Sequence, residues 1–156
     1  MSIPRTPERP RQAGAVTLLL VEDDDIDAEM VERCMRRGKI ANPLVRARDG
    51  IEALEFLRGT NGARKLPAPV MLLVDIRMPR LDGIGLIQAV RADPLLTRTV
   101  IFVLTTSDSD RDRMAAYDSH VAGYVLKSNT HDELLSLTKM LEYYLMIVVA
   151  PPPVVD

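Results

Sequence analysis

VMLLVDIRMPRLDGIGLIQAVR, residues 70–91, decides the fold. Val70 to Asp75 is a nearly unbroken apolar run that ends in a carboxylate. A strand covered by helices on both faces of a parallel sheet reads this way. MPRLDG is a loop, and Gly83 opens a helix reaching about Arg91 while permitting close backbone approach. The same alternation continues on both sides. Upstream, VTLLLV (Val16 to Val21) is a strand, and Asp24 or Asp25 caps a helix running to about Arg37. Its apolar positions Ile26, Met30, Val31 and Met35 recur at helical spacing, and Gly38 stops it. Leu44 to Ala47 forms a short strand. Glu52 to Arg58 forms a short helix with Ala53, Leu54 and Leu57 inward, ended by Gly59. TNGARKLPAP is the loop that leads into Val70. Downstream, Thr99 to Leu104 is a strand, and Ser107 or Asp108 opens a helix through SDSDRDRMAAYDSH. Gly123 to Leu126 is a strand, and Thr130 with Glu133 makes a capping box for a last helix. Strand and helix thus alternate five times with no hairpin signal. This predicts an α/β protein, a (βα)5 doubly wound five-stranded parallel sheet with helices on both faces.

The chain has 156 residues, enough for one domain with a core that needs no staples. With 20 basic and 22 acidic side chains it lacks the basic excess of a nucleic-acid binder. The single cysteine, Cys34, permits no internal disulfide, suits a cytoplasmic setting and reads as a buried thiol. Residues 1–15 are proline- and arginine-rich without an apolar run, so they read as a disordered lead-in and not a signal peptide. No segment has the apolar length of a membrane span. The expected division is the lead-in at 1–15, one domain at 16–145 and an apolar, proline-rich tail at 146–156, with no output domain after the fifth helix.

In an open parallel sheet, ligands bind at the carboxyl ends of the strands. Here those ends carry Glu22-Asp23, Asp75, Thr105-Thr106 and Lys127. Each has an ordinary reading taken singly: Asp23 to Asp25 as caps or solvated acids, Asp75 as a loop carboxylate, Thr105 as a β-branched strand residue, Lys127 as a surface lysine. Their coincidence at four strand ends favours a site. Carboxylates packed together repel, and a hard divalent cation such as Mg2+ relieves the repulsion. Such a site suits an aspartate that attacks phosphorus, with the ion and the lysine neutralising the phosphoryl oxygens and the Thr105 hydroxyl bonding the acyl phosphate. The remaining charges of the first helix, Asp27, Glu29, Glu32 and Arg33, read as a solvated face. His120 and His131 read as isolated surface residues.

LLLVEDDDIDAEMVERCM, LLVDIRMPRLDGIGLIQAVR and IFVLTTSDSDRDRMAAYDSHVAGYVLKSN together resemble the receiver domain of bacterial two-component response regulators, a flavodoxin-like fold. The resemblance covers about residues 16–145. It implies that Asp75 accepts a phosphoryl group from a histidine kinase. It implies Mg2+ held by Asp23, Asp75 and the backbone carbonyl of Arg77, with Glu22 acting through water. It further implies that Lys127 pairs with the phosphoryl oxygens, and that Thr105 swings toward the acyl phosphate while Tyr124 changes rotamer. The family usually has proline after the lysine, where this chain has Ser128. With Asp75 as the implied acceptor, the nearby Arg77 side chain is expected to touch the phosphoryl group or shield it from water. The segment from Val103 to Lys127, with the Tyr143-Tyr144 pair and the apolar tail, is similar to single-domain regulators paired with bacterial phytochromes, which dimerise through their carboxyl-terminal side.

Leu134, Leu137, Leu141 and Leu145 suffice to pack the last helix on the sheet. Leu135, Tyr143, Met146 and the Ile147-Val148-Val149 run are then surplus, and Pro151 to Pro153 prevent further helix. The ordinary alternative is a tail folded back over its own domain; the expected dimer interface is Tyr143, Tyr144, Met146, Ile147, Val148 and Val149. The β-branched run at 147–149 predicts an extended arm, and the whole predicts a homodimer interface. Two alternatives stand beside the signalling switch. One is an Mg2+-dependent phosphohydrolase with Asp75 as nucleophile, disfavoured because Arg77 occupies the position expected of a general acid. The other is a phosphorylation-independent dimeric scaffold. Without an output domain the signal passes by protein contact, or by relay to a histidine phosphotransfer protein.

Overall fold

The computed structural model describes residues 16–127, 131–147 and 151. Five strands and five helices alternate: β1 (Thr17–Val21), α1 (Asp25–Arg37), β2 (Leu44–Ala47), α2 (Gly50–Arg58), β3 (Val70–Val74), α3 (Gly83–Ala92), β4 (Val100–Thr105), α4 (Asp110–Asp118), β5 (Gly123–Leu126) and α5 (His131–Ile147). All neighbouring strands are parallel, in the order β2-β1-β3-β4-β5. The chain therefore winds one way from β1 to β2 and the other way from β3 to β5. The reversal lies between β1 and β3, where such a sheet opens a crevice for ligands.

Alternation along each strand divides the core in two. Leu19, Val21, Leu72, Val74, Ile101 and Val103 face α2, α3 and α4, meeting Leu54, Leu57, Leu86, Ile87, Val90 and Ala116. Leu18, Leu20, Met71, Leu73, Phe102 and Leu104 face α1 and α5, meeting Val31, Met35, Leu137 and Leu141. Cys34 belongs to this second layer and is buried, as expected. Phe102 also receives Tyr144 edge-on, with ring centroids 5.2 Å apart, a contact worth about 0.5–1.5 kcal/mol beyond burial.

The strands and helices fall where the hydrophobic pattern places them, with instructive shifts at their ends. Asp24 caps α1, accepting from the Asp27 amide at 2.9 Å. Helix α2 begins at Gly50, two residues early, because Asp49 caps it through the Glu52 amide. The cap of α4 is Ser109, not Ser107 or Asp108; the Ser107 hydroxyl is instead donated to Asp112 at 2.6 Å. Ile26 is 71% exposed and takes no part in the core. Helical conformation carries through Met146 and Ile147, so the arm expected from Ile147 onward does not begin there. Val148 and Val149 lie outside the described residues, as do residues 1–15, Ser128 and Thr130. Of the expected interface pair, Tyr143 is exposed, whereas Tyr144 packs into its own domain. No described helix is long and apolar enough to cross a membrane.

Candidate functional site

Register creates the site. Val21 pairs with Val74, and the Asp75 amide donates to the Val21 carbonyl at 3.0 Å. Glu22 and Asp75 therefore leave adjacent strands side by side. The Glu22 amide still belongs to the sheet, donating to the Ala47 carbonyl at 3.0 Å. Glu22 is 1% exposed and Asp75 8%, whereas Asp23 faces solvent. Each of the three offers a carboxylate oxygen within 4.8 Å of the others.

Lys127 reaches this group from the end of β5, where its amide donates to the Thr105 carbonyl at 2.7 Å. Its ammonium donates to Glu22 Oε2 and to Asp27 Oδ2, the latter at 3.2 Å, and lies 3.6 Å from Asp75 Oδ2. Burial pushes the Glu22 carboxyl up to about 7 against the pull of Lys127. Burial also opposes the charge on Lys127, but hydrogen bonding to Glu22 and the fields of Asp75, Glu22 and Asp27 outweigh it and raise its pKa. One oxygen remains unsatisfied: Asp75 Oδ1 is buried with no hydrogen-bond partner. An orphaned buried carboxylate oxygen is costly. Together with the neighbouring carboxylates, it has the hard-oxygen character that a divalent cation such as Mg2+ takes, so the residues present fit such an ion.

The loop after Asp75 is held by close backbone approach. A Cβ at Gly83 would stand 2.2 Å from the Asp75 carbonyl oxygen. The Gly83 amide donates to Ile76 O at 2.8 Å, and the Gly50 amide to Leu81 O at 3.1 Å. Arg80 adds an ion pair to the buried Asp49 at 3.3 Å. Arg77 lies exposed in this loop.

Thr105 is fully buried at the end of β4, and its Oγ1 accepts from the Ser107 amide at 3.2 Å. The Tyr124 hydroxyl donates to the Ser107 carbonyl at 2.7 Å. Burial raises the Tyr124 pKa, and the Arg113 guanidinium lies over its ring at 5.8 Å.

The strand-end residues singled out in the sequence are thus gathered at one edge. Two participants were missed. Asp27 is not merely part of a solvated face, because it turns toward Lys127. It sits in the first turn of α1, which begins just after the strand end that carries Glu22 and Asp23. Arg46 donates to the carbonyls of Glu22 at 3.0 Å and Asp23 at 3.3 Å, and to Asp25 Oδ1 at 2.7 Å.

Comparison with known proteins agrees with this geometry. Residues 18–139 match the model of the response regulator receiver domain, and the chain belongs to that family. It is similar to Response regulator Rcp1 of Synechocystis sp., with 31% identity over 135 residues, 86% of this chain and 92% of that protein. The solved Mn(2+)-bound form of Rcp1 is 31% identical with a TM-score of 0.79, covering 88% of this chain and 99% of that one. The phosphorylated cyanobacterial phytochrome response regulator RcpA is 28% identical with a TM-score of 0.76, covering 90% and 100%. The bacteriophytochrome response regulator RtBRR is 30% identical with a TM-score of 0.70, covering 88% and 84%.

Proposed function

We propose that this chain is the phosphoacceptor switch of a two-component system and that Asp75 is the acceptor. The observation that carries the reading is the buried, unpartnered Asp75 Oδ1 beside Glu22, Asp23 and the Lys127 ammonium. A carboxylate oxygen of Asp75 attacks phosphorus, forming a P–O bond as the P–N bond to a kinase phosphohistidine breaks. Asp23, Asp75 and the Arg77 carbonyl hold Mg2+, with Glu22 acting through water. The ion supplies charge neutralisation at the phosphoryl oxygens. Lys127 shares that task from 3.6 Å. Thr105 accepts from the Ser107 amide, which leaves its own proton to donate to a phosphoryl oxygen. Tyr124 follows through Ser107, whose carbonyl anchors its hydroxyl.

Similarity to phytochrome-linked regulators supports a bacteriophytochrome as the donor kinase. The output is protein contact or relay to a histidine phosphotransfer protein, so the chain acts as a signalling protein and not as an enzyme on external substrates. Exposed Tyr143, at 63%, and Met140, at 37%, support a homodimer through α5. The test is phosphotransfer from phosphorylated histidine kinases to wild type and Asp75→Asn, with sizing of both. Mg2+-dependent labelling of wild type and none of Asp75→Asn is the expected result. Equal labelling of the two would remove Asp75 as acceptor.

A further inference from the structure

The acidic loop has a mechanical problem. Glu22 and Asp23 must keep like-charged carboxylates close to Asp75, yet the chain is leaving the sheet at that point. Beyond the Glu22 amide the backbone turns into α1, and the carbonyls of Glu22 and Asp23 point to Arg46. Arg46 stands on the edge strand β2, opposite Leu20 in register, and its side chain is 17% exposed. Its Nε donates to Glu22 O at 3.0 Å, Nη2 to Asp23 O at 3.3 Å and Nη1 to Asp25 Oδ1 at 2.7 Å. One planar fork thus grips both peptide units that carry the acidic pair and the first residue of α1. A lysine cannot make this arrangement, because its ammonium is a point donor.

Arg48 provides an internal comparison. It shares Asp25 Oδ1 at 3.0 Å, but its side chain is 63% exposed and it donates to neither carbonyl. The two arginines hold the Asp25 carboxyl below the usual carboxylate range. They bring similar charge to the loop, yet only Arg46 braces its backbone.

We infer that Arg46 is a positioning residue for the divalent-cation site: its guanidinium fixes the backbone from which the Glu22 and Asp23 carboxylates project, and thereby sets cation affinity. This rests on the reading of Glu22, Asp23 and Asp75 as that site. Charge and positioning predict opposite signs. As a bare positive charge, Arg46 repels a dication, so its removal tightens binding. As a brace, its removal lets the carboxylates drift apart and weakens binding. Outer partners that orient metal ligands typically contribute about 10- to 100-fold in affinity.

The experiment is Mn2+ titration of the full chain without phosphodonor, with free Mn2+ read by electron paramagnetic resonance. Wild type, Arg46→Met, Arg46→Lys, Arg48→Met and Asp75→Asn are compared, and metal-free thermal melts report folding. Arg46→Met weakens binding about tenfold, Arg46→Lys falls between it and wild type, and Arg48→Met is unchanged or tighter. In Mg2+-dependent labelling, Arg46→Lys raises the half-saturating Mg2+ concentration more than it lowers the rate at saturation. Binding by either Arg46 variant that equals or exceeds wild type overturns the inference, as does equal weakening by Arg48→Met. If Arg46→Met does not fold, Arg46→Lys decides. Wild-type binding that Asp75→Asn leaves untouched refutes the underlying site instead, so the two failures are distinguishable.

Discussion

Gly83→Ala tests how closely the fold and Asp75, the proposed phosphoryl acceptor, are joined. The added Cβ meets only backbone: the Asp75 carbonyl oxygen at 2.2 Å, Ile76 Cα at 2.7 Å and the Asp75 carbonyl carbon at 2.9 Å. Ordinary contact begins at 3.4 Å, so α3 and the Asp75 peptide must separate by about 1.2 Å. No flexible side-chain end can absorb that movement. Alanine would otherwise help, since removing glycine freedom from the unfolded chain is worth about 0.4–1 kcal/mol where the backbone permits. Forced overpacking costs about 1–3 kcal/mol, so net destabilisation of about 1–2 kcal/mol is expected. The displaced peptide belongs to the acceptor itself, and misplacement by about 1 Å costs about 100-fold in rate. Urea unfolding in EDTA measures the first effect, and Mg2+-dependent labelling by a small acyl phosphate measures the second. The variant should lose far more labelling than its stability loss explains, because it remains mostly folded under assay conditions. A variant as stable as wild type, labelled within about threefold of it, would refute the reasoning that Gly83 sets the position of Asp75.

Glu22→Gln removes a buried acid whose pKa is raised from 4.5 to about 7. A carboxyl raised on folding gives stability that is full below pH 4.5 and lost as pH rises through about 7. In EDTA, the glutamine variant therefore gains on wild type between those limits, by on the order of 2 kcal/mol after allowance for screening. Urea midpoints at pH 5 and 8 check this, and a difference that does not change with pH counts against it. Arg91 donates to the carbonyls of Ser119, Thr97, Thr99 and His120 at 2.7–2.9 Å, tying the end of α3 to the turns before β4 and β5. Arg91→Met keeps the stem but strands those acceptors, and should cost about 2–3 kcal/mol in urea unfolding; a loss below about 1 kcal/mol would show that water replaces the guanidinium. On the proposed homodimer, Tyr143→Ser should shift the full chain from dimer to monomer in light scattering at micromolar concentration. An unchanged mass removes Tyr143 from the interface.

The fold was legible because the three central strands, β1, β3 and β4, are apolar runs and every strand is followed by a helical period. β2 and β5 match the sequence reading residue for residue. The ends were harder, because capping depends on competing side-chain partners. Ser107 has the chemistry of a cap, but its hydroxyl goes to Asp112, leaving Ser109 to cap α4. Periodicity also misled at Ile26, which is apolar at a helical interval yet lies 71% exposed on α1. In the site, Glu22, Asp75, Thr105 and Lys127 were readable because strand ends converge whatever the strand order. Arg46 was not, because its role requires β2 to lie beside β1. Asp27 was hidden in a run of charges whose members differ only in the direction they face.

On the proposed function, the lysine links ground state and output. Lys127 is shared among Glu22, Asp27 and Asp75, and it is farthest from Asp75, at 3.6 Å. A phosphoryl group on Asp75 adds charge on that side and draws the ammonium toward it. The backbone of Lys127 is tied to the Thr105 carbonyl, while Thr105 Oγ1 accepts from Ser107. Ser107 in turn holds Tyr124 through its carbonyl and Asp112 through its hydroxyl. Rearrangement of Thr105 toward a phosphoryl oxygen breaks or bends its bond to Ser107, so its effect reaches the Tyr124 anchor on β5 and the first turn of α4. Met114 and Tyr117 on α4 and Leu126 on β5 are exposed apolar side chains on these same elements. A change at Asp75, the proposed acceptor, therefore has a hydrogen-bonded route to a surface able to meet another protein.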